Sequence, residues 1–297
     1  MVGMALWTML SEPYVMQAVV AAVAVGVVCS LLSVVIVLKR MAFIGQGISH
    51  AGFGGVGTAA LLGLGGAAYQ WEQDLIVLGF CLVTAVVIGA MSRSRRMESD
   101  TAIGIMLAGT MAWGVLAQNL RIAWQDWPAY RAWVGAPGYS PPWEAIMFGS
   151  LLNVGEGGMW ASVAMAAVVV LVCGLVFKEL VFYAFDEGVS RVFGVRTQVM
   201  HYLLLVMLCG VVVVSIRLVG LILVSALLIM PGATALMLSR RMSGVLVVAV
   251  TVGLVGTVGG LGLSLGVGTL SPGASIVAVL FVLFMAGFGA NRLGWVR

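Results

Sequence analysis

Charged side chains are scarce in this sequence: only 9% of its 297 residues are Asp, Glu, Lys or Arg, where a soluble domain carries about a quarter. All eleven acids lie in loops or at the ends of apolar runs. That argues against the intramembrane carboxylate relay that secondary transporters often use. Cysteine is sparse as well. Cys29, Cys81, Cys173 and Cys209 stand singly inside apolar runs; they read as small buried hydrophobes, show no metal-ligand spacing and predict no disulfide. The sequence has no phosphate-binding P-loop and no HExxH metalloprotease motif, so any ATP hydrolysis belongs to a separate polypeptide. The first residues, "MVGMALWTMLSEPY", lack a basic n-region and do not read as a cleavable signal. The net charge of +4 is not a nucleic-acid signal, because it follows from where a membrane chain places its basic residues.

What remains is apolar: 62% of residues are hydrophobic and the mean hydropathy is +1.14. A soluble fold of this length has no interior large enough to hide that surface. The runs are continuous rather than alternating, so helices are expected and not a barrel. The reading is an all-α polytopic membrane protein, a single transmembrane domain over residues 1–297. Spans are expected near 15–38, 47–67, 75–91, 102–118, 158–177, 199–216, 218–238, 244–265 and 274–290. The sixth and seventh are divided only by Arg217, so eight spans and nine both remain open.

Basic residues set the orientation. With the N-terminus outside, Lys39, Arg40, Arg93, Arg95, Arg96, Lys178, Arg191, Arg196, Arg240, Arg241, Arg292 and Arg297 fall inside, and only Arg121, Arg131 and Arg217 fall outside. The outer segment 119–155 is rich in Trp and Tyr ("AWQDWPAYRAW", "GYSPPWEAIMFG") and suits the membrane interface; a docking platform for an external partner is the other reading. The inner segment 178–198 sets Phe182, Phe185, Val189, Val192 and Phe193 at helical spacing against Asp186, Glu187, Arg191 and Arg196. It reads as an amphipathic helix, on the membrane surface or docked into another protein. Leu261–Ser275 reads as an outer hairpin turn.

One apolar stretch carries polar groups: "FIGQGISHAGFGG", Phe43–Gly55. Helical spacing places Gln46, His50, Gly54 and Gly57 on roughly one face. The glycines follow from close helix packing. Gln46 and His50 do not, since a polar group inside a membrane is costly and usually faces the bundle interior or a wet cavity. His50 is either a structural hydrogen-bonding group or part of a pathway for a polar solute or metal ion. Further along, Pro231 and Gly232 in "LIMPGATA" predict a helix kink that is either incidental or a pivot in the pathway.

Three stretches, "LKRMAFIGQGISHAGFGGVG" (38–57), "FKELVFYAFDEGVSRVFGV" (177–195) and "VVVVSIRLVGLILVSALLIMPGATALMLSRR" (211–241), occur in the order and at the separation found in one family. The chain resembles the integral membrane permeases of metal-ion ABC importers, the zinc/manganese/iron family often called ABC-3. The resemblance implies the permease bundle of that family, in the cytoplasmic or inner membrane. It implies a homodimer or a paired related permease, driven by cytoplasmic ATP-binding subunits and served by an extracytoplasmic solute-binding protein. The chain is then a transport subunit and not an enzyme. ATP lies on the partner, and no cofactor is held permanently beyond the divalent metal in transit. Asp186–Val195 is then the coupling helix, with Asp186, Glu187, Arg191 and Gly194 directed to the ATPase. Ser49 and His50 match the family's first motif, which makes His50 a transient metal ligand of the transport pathway together with Gln46 and Ser49. Gln46 stands where the family usually has aspartate, and so offers a neutral carbonyl in place of a charge. This leaves the metal open and motivates a second cargo reading, a metal chelate. A transporter acting without an ATPase and a membrane enzyme using Ser49 and His50 are the alternatives from other classes. Adjacent helical residues point about 100° apart, which makes the latter a poor reactive pair.

Overall fold

The computed structural model describes residues 12–64, 70–92, 97–134, 147, 149, 154–268 and 270–293. The expected N-terminal stretch therefore lies almost wholly outside the described residues, as do Arg93, Arg95, Arg96 and Arg297 and most of "GYSPPWEAIMFG".

Twelve helices form among the described residues: α1 (Pro13–Leu38), α2 (Ala42–Leu61), α3 (Gln70–Ser92), α4 (Ser99–Trp124), α5 (Pro128–Val134), α6 (Glu156–Leu175), α7 (Phe177–Phe185), α8 (Glu187–Val192), α9 (Thr197–Leu227), α10 (Met230–Leu238), α11 (Met242–Val267) and α12 (Pro272–Arg292). Proline stands in the first turn of α1, α10 and α12, where its missing N–H has no helical acceptor to lose. Eight stretches are long and apolar enough to cross a membrane, two of them being Thr197–Ile216 and Leu218–Leu238 on either side of residue 217. The other long helix, α2, is more polar and runs among them.

Contacts along α9 show that the chain turns back there. Leu218 lies against Gly158 at the start of α6, and Ile216 against Gly52 in mid-α2. Leu228, ten residues beyond Leu218, lies against Gly45 near the beginning of α2. The turning point is Gly220, with φ 79° and ψ 165°, a combination open essentially to glycine alone. Gly149 abuts the same peptide with no room for a Cβ. The reversal makes Thr197–Ile216 and Leu218–Leu238 two separate stretches, the second completed by α10.

α1 is the central post. It packs on α11, α6, α10 and α9 through small residues: Gly26 on Thr257, Ser30 on Gly253, Ser33 on Gly232. Small side chains let backbones approach, and dispersion between close helices replaces the hydrophobic drive that lipid cannot supply. α2 is enclosed by α3, α4 and α9. α6 lies at the rim, with 11% of its most apolar window buried.

The bundle has two unlike ends. Lys39, Arg40, Lys178, Arg191, Arg196, Arg240, Arg241 and Arg292 gather with α7 and α8 at one, while Arg121 and Arg131 mark the other, beside α5. The acids of the long helices sit near their starts, as in Glu72, Asp100 and Glu156. Several expected boundaries shift. The second span runs Ala42–Leu61 rather than 47–67, the third begins at Gln70 rather than 75, the fourth runs on to Trp124 rather than 118, and α11 runs on to Val267 with α12 starting at Pro272, which shortens the expected Leu261–Ser275 turn.

Candidate functional site

α2 is held on three sides by glycine contacts. Gly45 meets Leu228, Gly47 meets Ile103, Gly52 meets Ile216 and Gly55 meets Val77. A Cβ on Gly57 would stand 2.7 Å from the Gly114 carbonyl oxygen, closer than real carbon–oxygen contacts allow. At the α5 end, the Trp113 indole donates to the Thr58 hydroxyl at 2.9 Å and the Tyr130 hydroxyl donates to the Leu61 carbonyl at 2.7 Å. Trp124 stacks edgewise on Tyr130 at 6.1 Å, the described part of the aromatic segment.

The face expected to hold Gln46, His50, Gly54 and Gly57 together is divided. α4 packs along α2, and Gly54 meets the Thr110 carbonyl while Gly57 meets Gly114, both fully covered. Gln46 and His50, nearer the α7–α8 end, stay half-buried. His50 Nδ1 is itself buried and has no hydrogen-bond partner among the described residues. Ser49 is buried, and its hydroxyl donates to the Gly45 carbonyl of its own helix at 2.7 Å. It is therefore not brought together with His50.

A nitrogen left without a partner and an amide one turn away are donors that fit a metal ion in passing. Imidazole binds most transition metals, and the amide oxygen suits harder ions. They do not make a closed site. Among the described residues no three His, Cys, Asp or Glu side chains converge. An apolar cavity of about 360 Å3 lies elsewhere, beside Gly220, between Val219, Ile222, Met230 and Val277; none of its walls is ionisable.

Residues 178–198 form two helices rather than one. Asp186 breaks the chain with an extended backbone, and its carboxylate accepts from the Val189 amide at 2.9 Å, capping α8. Gly194, at φ +84°, makes the left-handed turn toward α9. Arg191 is exposed, at 3.5 Å from Glu187. Glu187 turns inward to Lys39, 3.1 Å away. Val192 and Phe193 stand outward, at 86% and 74% exposure, so the free surface of this segment sets apolar side chains beside the exposed Arg191 and Arg196. Pro231 and Gly232 open α10, just after the chain leaves helical geometry at Ile229. Gly232 fits directly against the Ser33 carbonyl.

Sequence reading did not single out Lys39, Tyr183 or His201 as a cluster; Lys39 meets Glu187, the Tyr183 ring lies against Lys39, and His201 meets the Tyr183 hydroxyl. Their separation along the chain hides the cluster; the only signal is that "LKRM" opens the same stretch that carries His50.

Comparison with known proteins bears on the whole chain. The ABC 3 transport family profile matches residues 11–291. The manganese transport system membrane protein MntC of Halalkalibacterium halodurans is 32% identical over 280 residues, covering 94% of this chain and 88% of that protein. The chelated iron transport system membrane protein YfeD of Yersinia pestis is 32% identical over 283 residues, covering 93% and 87%. Among solved structures, PsaBC from Streptococcus pneumoniae in complex with Fab matches with a TM-score of 0.79 at 26% identity, over 97% of this chain and 95% of that chain.

Proposed function

The chain belongs to the ABC 3 transport family, and we propose that it forms, with a second permease copy, the pathway by which a first-row divalent metal, manganese or iron, enters the cell. It is a multi-pass membrane permease of a metal importer, and ATP is hydrolysed on a separate chain. The observation that carries the pathway is the half-buried pair Gln46 and His50, with a buried ring nitrogen left unpartnered in an otherwise tightly packed helix. One protomer supplies an imidazole and an amide; two protomers facing each other double that set. Few and neutral ligands hold an ion weakly enough to let it go.

On this reading the basic α7–α8 end faces the cytoplasm, as lysine and arginine favour, and the N-terminus lies outside. The exposed Val192 and Phe193, with Arg191 and Gly194 beside them, face the ATP-binding subunits. A solute-binding protein delivers the ion at the α5 end. Gln46 favours a second reading, in which the cargo is a metal chelate that needs less protein charge.

The test is elemental analysis of cells lacking this chain, in metal-limited medium, with and without complementation. A selective deficit in manganese or iron is expected, and complementation by His50→Ala leaves it unrepaired although the protein reaches the membrane. Full repair by His50→Ala removes the pathway assignment. A deficit that appears only when the metal is supplied as a chelate selects the second cargo.

A further inference from the structure

Glu187 of α8 and Lys39 at the end of α1 lie 148 residues apart in sequence, yet their side chains pair at 3.1 Å. Lys39 is well covered, with 13% of its side chain exposed against 39% for Glu187. Its ammonium also sits 3.8 Å from the centre of the Tyr183 ring and donates to the Tyr183 carbonyl at 3.5 Å. Tyr183 is 1% exposed, and its hydroxyl lies 3.0 Å from His201 Nδ1 at the start of α9. A cation held between a carboxylate, a ring face and a carbonyl, and partly out of water, is positioned far more firmly than a surface ion pair.

Lys39 is also the first residue of the turn that leads into α2. The Met41 amide bonds to the Ile36 carbonyl at 3.0 Å and the Arg40 amide to the Val37 carbonyl at 3.0 Å, the paired closure of a helix by a left-handed residue. That residue is Arg40, at φ 56°, the one non-glycine with positive φ among the described residues. α2 starts two residues later, and the Ile44 amide already bonds to Met41. The connection has no slack. From Ala42 to His50 is about 12 Å along the helix axis.

We propose that the Lys39–Glu187 pair, braced by Tyr183, is the strut that carries movement of the α7–α8 segment directly into α2, and so sets whether Gln46 and His50 are placed to accept or release cargo. Lys39 and Glu187 are positioning residues; neither touches the ion. This rests on the reading of the chain as an ATP-driven metal permease.

The experiment uses the whole transporter, permease with its ATP-binding and solute-binding partners, in proteoliposomes, with manganese as the probe. Metal taken up and ATP hydrolysed are measured together for wild type, Lys39→Met, Glu187→Gln, the double variant and Lys39→Arg. Each neutralised variant is expected to keep its ATP hydrolysis while metal moved per ATP falls about tenfold, within the usual range of coupling between sites. The double variant is expected to lose no more than either single one, the mark of residues acting as one unit. Lys39→Arg restores most of the ratio. Additive losses, an unchanged ratio, or a parallel fall of both rates through lost assembly would each overturn the strut. Wild type that moves no manganese on ATP addition overturns the parent reading itself, a result distinguishable from every variant effect.

Discussion

α2 and α6 have the same length, 20 residues, and opposite surroundings. Fourteen residues of α2 are buried, against Ser162 and Val169 in α6. Yet α6 has the hydropathy of a membrane span and α2 falls short of it. In a membrane, hydropathy says which segments tolerate lipid and little about which are inside. What marks the interior helix is smallness and polarity: glycines at its contacts, and a glutamine and a histidine that lipid would reject. The valines and leucines of α6 face a solvent as apolar as themselves.

That contrast is open to direct attack. The largest effect is expected from truncating equivalent bulk. Ile48→Ala, at a fully buried position, is expected to cost about 2–5 kcal/mol through lost transfer and cavity terms. Leu171→Ala, at 63% exposure on α6, leaves no cavity because lipid refills the space, and denaturation in detergent should hardly move. Equal losses would mean that α6 packs against protein along that face. Next, Gly57→Ala drives a Cβ toward the Gly114 backbone and is expected to cost about 1–3 kcal/mol. Gly174→Ala in α6, where nothing lies within 4 Å, gains slightly from helix propensity. Matching thermal midpoints for the two would deny that glycine contacts hold α2. The smallest effect is expected from Tyr130→Phe, which removes the hydrogen bond to Leu61 at the end of α2; about 1 kcal/mol is lost, visible as faster amide exchange confined to that end.

Several elements were legible because hydropathy and helical spacing are local. The order of the spans, the side on which the basic residues gather and the glycine packing of α2 all follow from short stretches of sequence. The start of α2 was misplaced by five residues because Gly45 and Gln46 look like a boundary. Helix there is enforced by neighbours rather than by composition. The expected four-residue face failed at Gly54 and Gly57 for a similar reason, since α4 covers those two positions completely while Gln46 and His50 stay half-buried, a difference spacing alone does not show. Between 199 and 238 the sequence drew attention to Arg217 and Pro231. The turn is instead made by Gly220, one glycine among many, and only tertiary contacts distinguish it. For the candidate site, the half-buried position of Gln46 and His50 agrees with their polarity in an apolar run. The partner of Glu187 was hidden by a sequence separation of 148 residues.

The turn at Gly220 bears on how the protein is made. A reversal built from one residue has no polar loop to carry across the bilayer, and Arg217 is the single Asp, Glu, Lys or Arg between 199 and 238. Neither arm then has a natural stopping point of its own during synthesis. The two arms are therefore expected to enter the membrane as a pair, and a truncation that ends the chain at Gly220 is expected to leave the first arm poorly inserted in a glycosylation-mapping assay.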